Sequence, residues 1–272
     1  MNLACLFEAA RTCLQASDPD AKVQLTLAAS ADWRQGRLAA GASGAPDPSV
    51  DAGRPERPAL VHFSRLPKRS LHQAEGRINL VHALTHVEFN AINLAWDAVY
   101  RFRGLPLDYY GDWIQVAREE AEHFQLLRDH LRSLDRDYGD LPAHDGLWAM
   151  ARRADQDPLA RMALVPRVLE ARGLDVTPGL QERLRAAGDL ATLAILEVIL
   201  RDEIGHVAVG TRWFRFFCQQ RELDSEAEFF RLVQLYFPEG VRPPLNLAAR
   251  RAAGFSDAEL LWLEQPGRHR EP

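Results

Sequence analysis

Two short stretches of this chain repeat one acidic pattern: Arg118-Glu119-Glu120-Ala121-Glu122-His123 and Arg201-Asp202-Glu203-Ile204-Gly205-His206. Each holds Glu-x-x-His, with a second acid and an Arg just before the Glu. A lone Glu in an apolar stretch precedes each: Glu88 lies 32 residues before Glu120, and Glu170 lies 33 before Glu203. Glu and His at i and i+3 project from one side of a helix, so a single helix can offer a metal a carboxylate oxygen and an imidazole nitrogen. Two such helices, with one further Glu from each of two others, supply the ligands of a dinuclear carboxylate site in a four-helix bundle. The candidate ligands are therefore Glu88, Glu120, His123, Glu170, Glu203 and His206, with Glu120 and Glu203 the catalytic candidates. An oxygen-rich set with two histidines suits two iron ions, with manganese or zinc as alternatives. Four carboxylates turned into a core without cations would meet desolvation and mutual repulsion, which metal relieves. Eighteen Glu and nine His in 272 residues yield about 0.6 Glu-x-x-His pairs by chance, so the weight falls on the repeated context.

The preceding acids have a role of their own. A ligating His usually gives its other ring N–H to a carboxylate. Asp202 is expected to orient His123, and Glu119 to orient His206, while Arg118 and Arg201 partner these acids or reach solvent. Glu122 faces sideways from Glu120. His82 and His86, at i and i+4, are a weaker metal pair on the side opposite Glu88, and otherwise read as surface or interface histidines. Tyr109 and Tyr110 could host a radical near metals, but two tyrosines at a helix start are expected to be packing residues. Trp96, Trp113 and Trp213 hold core positions.

Helical periodicity dominates the elements that must carry these groups, and strand signals are nearly absent. Short helices are expected at 2–15 and 19–35, the second capped by Ser17 or Asp18 before Pro19 and stopped at Gly36. Residues 37–58 are rich in Gly, Pro and Ala and read as a linker. A long helix over about 75–103 sets Leu84, Glu88, Ala91 and Ala95 on one face, and one over about 108–135 does the same for Trp113, Val116, Glu120, His123 and Leu127. A third, about 145–172, breaks near Asp157-Pro158 and ends before Gly173, with Thr177-Pro178 opening a piece to about 187. A fourth, about 189–221, aligns Leu196, Ile199, Glu203, His206, Val207 and Gly210. Two short helices around a Pro-rich turn follow. The expected organisation is all-α: an N-terminal extension at 1–36, a linker packed on the bundle at 37–69, a four-helix bundle with the dinuclear site at 70–222, and a helical tail at 223–272.

Composition bounds the rest. With 47% hydrophobic residues the chain can bury a core, and a net charge of −5 with no basic stripe argues against a nucleic-acid binder. The basic runs Arg250-Arg251 and Arg268-His269-Arg270 read as solvated tail. Cys5, Cys13 and Cys218 form no CxxC pair, which suits a reducing cytoplasm and leaves out an attached rubredoxin-like centre. The first residues carry Glu8 and no basic start, a poor signal peptide, and no stretch reaches the ~20 apolar residues of a membrane helix.

The residues His86-Val-Glu88-Phe-Asn-Ala-Ile, Ala95-Trp-Asp-Ala-Val, Glu119-Glu120-Ala-Glu-His123-Phe, Leu164-Val-Pro-Arg-Val-Leu-Glu170-Ala-Arg-Gly-Leu-Asp-Val-Thr-Pro178 and Asp202-Glu203-Ile-Gly-His206 carry a resemblance. Over roughly 60–220 the chain resembles the ferritin-like superfamily, and within it a bacterial family related to the non-haem diiron hydroxylase of a modified adenosine in tRNA. That resemblance implies an antiparallel four-helix bundle with two irons held by the six residues named above. It implies a dioxygen-dependent oxidoreductase, a hydroxylase or related enzyme, acting on a small organic substrate with an external electron donor. The acidic net charge speaks against tRNA without removing it. A homodimer is compatible with the pattern. Because this fold hosts many chemistries, the alternatives are ferroxidase, iron handling or peroxide detoxification, and a non-catalytic bundle stapled by metal.

Overall fold

The computed structural model describes residues 4–41 and 44–265; the basic run at 268–270 and the start of the first expected helix lie outside them. The chain is all-α and divides into two compact units, Met1–Trp148 and Ala149–Pro272.

The first unit opens with a two-residue strand β1 (Ala4–Cys5), followed by α1 (Leu6–Gln15) and α2 (Pro19–Arg34). Strand β2 (Leu38–Ala39) pairs with β1 in parallel, Ala4 opposite Leu38 and Cys5 opposite Ala39. Asp18 caps α2 by accepting from the Ala21 N–H (2.8 Å), with Pro19 in the first turn where its missing N–H costs nothing. The fully buried Lys22 donates from Nζ to the Cys13 and Leu14 carbonyls, both at 2.8 Å. It thereby satisfies two last-turn carbonyls of α1 that the helix cannot pair itself.

The long helices α3 (Ala74–Arg101) and α4 (Leu107–Ser133) form an antiparallel hairpin. Gly104, at φ +72°, makes the turn between them. The Tyr109 and Tyr110 hydroxyls donate to the Ala98 and Phe102 carbonyls (3.3 Å each), pinning the start of α4 to the end of α3. Both rings are buried, the packing role expected of them. Phe89 and Phe124 meet across the hairpin (ring centroids 5.6 Å), α1 packs on α3, and α2 packs on α4. Trp96 is fully buried and donates to Thr26 Oγ1 on α2 (2.9 Å); Trp113 is buried on α4.

The linker is tied down rather than free. Val61 N–H donates to the Ala143 carbonyl (2.8 Å), Ala143 N–H to that of Ala59 (3.0 Å), and Trp148 Nε1 to Asp51 (2.7 Å).

Helix α5 (Gly146–Arg153) spans the division between the units. In the second unit, Asp157 caps α6 (Pro158–Leu164), accepting from the Leu159 N–H (3.0 Å). The chain then passes through a π-helical turn, Val165–Glu170, into α7 (Ala171–Ala186), which forms an antiparallel pair with α8 (Leu190–Gln220). This departs from the expected break at Gly173 and restart at Thr177-Pro178: α7 runs through all three residues. Pro178 has no N–H for the Leu174 carbonyl, and Asn246 Nδ2 donates to that carbonyl instead (3.1 Å). Among its described residues the tail holds three helices rather than two, α9 (Ser225–Tyr236), α10 (Leu247–Ala252) and α11 (Asp257–Leu263), which pack on α6, α7, α8 and one another. The buried Arg250 clasps Asp175 with both nitrogens (2.9 and 2.7 Å), fastening α10 to α7. Among the described residues, no helix is long and apolar enough to cross a membrane.

Candidate metal centre

Each unit carries one half of the expected ligand set. In the first, Glu88 projects from α3 and Glu120 and His123 from α4, because the 3.6 period places them on the faces that meet across the hairpin. All three are buried. One ligand atom from each lies within 4.8 Å of the others. His123 turns Nδ1 toward the acids, 3.4 Å from Glu120 Oε2 and 3.6 Å from Glu88 Oε2. Glu88 Oε2 is buried and accepts no hydrogen bond. Such a lone pair costs free energy unless something else occupies it.

Burial, and then the Glu120 carboxylate, push Glu88 well above the usual carboxylate range. Burial lowers His123, yet Glu120 and Glu88 outweigh it and hold the imidazole up at about 11. Two carboxylates and an imidazole converging in a dry core form a group that could hold a metal ion; the donor set, oxygen with nitrogen, fits a hard or borderline divalent cation.

In the second unit, α8 presents Glu203 and His206 from one face, with His206 Nδ1 3.6 Å from Glu203 Oε1. His206 is buried and Glu203 is 12% exposed at its side chain. Both histidines thus turn Nδ1 to the carboxylate three residues earlier. Glu170 ends the π-helical turn and is half-buried.

The acids before each motif engage their own helices. Gln115 Nε2 and Arg118 Nη2 donate to Glu119, and Arg118 also pairs with Glu122, which accounts for its sideways position. Arg201 donates to both oxygens of Asp202 (2.9 and 3.2 Å).

His82 and His86 are not surface residues. They are 1% and 6% exposed. Gly139 N–H donates to His82 Nε2 (3.0 Å), the Tyr138 hydroxyl lies 2.9 Å from His86 Nδ1, and His86 Nε2 lies 3.1 Å from the His144 carbonyl. Burial holds both at about 4, hence neutral. The segment after α4 covers them, and its polar composition gives no hint of that in the sequence. His86, Asn90 and His144 also line a surface cleft of about 80 Å³ with Leu84 and Val87, a feature periodicity does not reveal. Cys5, Cys13 and Cys218 are free thiols.

Residues 15–261 match the family model described as "Protein of unknown function (DUF455)". The chain belongs to this family. The match takes in all six candidate ligands of the DUF455 chain. A Haemophilus influenzae protein described as "Uncharacterized protein" is 47% identical over 216 residues, covering 77% of this chain and 75% of the relative. No solved structure matches the DUF455 chain.

Proposed function

We propose that this protein is a non-haem diiron carboxylate oxidoreductase of the ferritin-like kind that uses dioxygen to oxidise a small organic substrate. The observation that supports it is the buried Glu88–Glu120–His123 group, two carboxylates and an imidazole within 4.8 Å where no solvent screens them. The second half, Glu203 and His206 with Glu170, repeats that donor chemistry from the other unit. On this reading the six residues together supply the ligands of two irons. When bound, the irons would supply the capacity to reduce dioxygen with electrons from an external donor.

The chain's own groups have defined tasks in the proposal. Glu88, Glu120, Glu170 and Glu203 would neutralise the cations, and His123 and His206 would supply their nitrogen ligands. Asp202 and Glu119, the acids beside the ligand glutamates, would serve as hydrogen-bond acceptors for the ligand imidazoles. Phe89, Val116, Phe124 and Leu127, all buried on the same two helices, would keep water from the carboxylates.

The test is to load metal-free protein with ferrous iron under anaerobic conditions, admit oxygen, and follow absorption and particle size. A small particle holding two irons per chain with a transient oxidised spectrum supports the oxidoreductase. A cage-sized particle taking up many irons per chain would replace it with iron storage. Tight zinc binding with no response to oxygen would replace it with a metal-stapled bundle.

A further inference from the structure

We propose that Arg167 is a positioning residue: it locks the π-helical turn Val165–Glu170 and so sets the direction in which Glu170 leaves its helix. The proposal rests on the reading of Glu170 as a ligand. A π turn accommodates one residue more than the α-helix around it, so everything beyond is rotated by about 100° relative to an unbroken helix. Glu170 is the last residue of that turn. Whatever holds the turn in its π form therefore decides which way its carboxylate points.

Two anchors on the same helix hold it. Pro166 lies directly over Gly210 of α8; a methyl group added at Gly210 would come within 2.3 Å of the proline ring. Glycine is what permits that approach. Next to it, the fully buried Arg167 reaches into the second unit's core. Its Nη2 donates to Glu259 Oε1 (2.7 Å) and its Nε to Thr211 Oγ1 (3.3 Å). Its guanidinium sits 4.1, 4.6 and 4.7 Å from the ring centres of Phe229, Phe255 and Phe214. Glu259 is itself fixed, because its second oxygen accepts the Ser256 N–H (2.9 Å) in the capping box of α11. Thr211 follows Gly210 on α8, five residues beyond His206. Arg167 thus ties the π turn to the helix that carries Glu203 and His206.

Stability alone does not account for this arrangement. A buried ion pair is often no better than apolar side chains of similar volume, and three phenylalanines already make this pocket apolar. What a guanidinium adds is direction: a planar fork held by two hydrogen bonds among three rings admits one orientation.

Cobalt(II) titration followed by visible absorption tests this, alongside circular dichroism and thermal melting on the same samples. Arg167→Met is expected to fold with wild-type helicity, yet to bind one of two cobalt ions on the order of 10-fold more weakly and with a shifted ligand-field band, as Glu170→Gln does. Gly210→Ala, which pushes on the same turn from the proline side, is expected to do likewise. Arg167→Lys, which keeps the charge beside Glu259, is expected to recover part of the affinity. If Arg167→Met, or Gly210→Ala and Arg167→Lys should Arg167→Met not fold, bind cobalt as wild type does while Glu170→Gln loses it, the positioning role is wrong. If Glu170→Gln itself binds two cobalt ions unchanged, the ligand assignment beneath the proposal fails instead.

Discussion

His123 on α4 holds its Nδ1 3.6 Å from Glu88 Oε2 on α3, so an imidazole and a carboxylate from two antiparallel helices face each other in a dry core. Burial and Glu120 push Glu88 well above the ordinary carboxylate range, while Glu120 and Glu88 hold His123 up at about 11 against its burial. The metal-free His123 imidazole therefore carries a proton at neutral pH that a cation must displace. Calorimetric titration with a divalent metal, repeated in buffers of different ionisation enthalpy, should show at least one proton released per ion bound in this half. Apparent affinity should rise with pH. Heats independent of the buffer would count against these three residues as ligands.

The same shifts fix the sign of a stability effect. Both groups have folded values raised above their unfolded ones. Their contribution is complete below the unfolded value, about 6.5 for His123, and is lost as pH rises through the folded value, about 11. Lys22, lowered by burial to about 7, titrates in the opposite sense but is common to metal-free and metal-loaded protein and cancels between them. The gap in Tm between loaded and metal-free protein should therefore widen from about pH 6 to about pH 9. A constant or shrinking gap would contradict the assignment.

Asn246 offers an independent check on the second unit. Its side chain caps α10, accepting from the Ala249 N–H (3.1 Å), and fills the place of the donor that Pro178 lacks. Asn246→Ala should cost about 1–3 kcal/mol. In a Pro178→Ala background, where the helix regains its own N–H, part of that cost should vanish. A double-mutant cycle in chemical denaturation measures the coupling, and strict additivity would mean the two residues do not share the Leu174 carbonyl.

Tyr138 closes the covering of α3 by its hydroxyl on His86 and its ring against Phe89 and Phe124 (both 5.3 Å). Tyr138→Phe keeps the ring packing and should cost about 1–2 kcal/mol by leaving His86 Nδ1 without its hydroxyl partner. Because Glu88 lies on the other face of α3, metal stoichiometry should not change. A variant as stable as wild type would show the hydroxyl to be dispensable.

What could be read in the sequence was local. A lone acid on an apolar face at helical spacing marks Glu88, and Glu-x-x-His marks residues that share a helix side. Asp18 and Asp157 announced their helices because a proline follows each at the first helical position. What escaped depends on partners far along the chain. Pro178 looks like a helix start until Asn246, 68 residues later, supplies the missing donor. The π turn needs Gly210 and an aromatic pocket built from α8, α9 and the segment before α11. His82 and His86 look solvated until Tyr138 and the Gly139 amide cover them. Periodicity reports which face is apolar and is silent about what will lie against it.

Metal content per chain is the most direct measure of the central claim. Protein prepared under iron-replete conditions, and its Glu120→Ala and Glu203→Ala variants, would be exchanged into metal-free buffer and analysed by elemental mass spectrometry against protein concentration. Two ions per wild-type chain are expected, with loss of the two-ion stoichiometry in both variants and helicity retained. Wild-type protein free of metal after iron-replete preparation, or either variant still holding two ions, would contradict that claim.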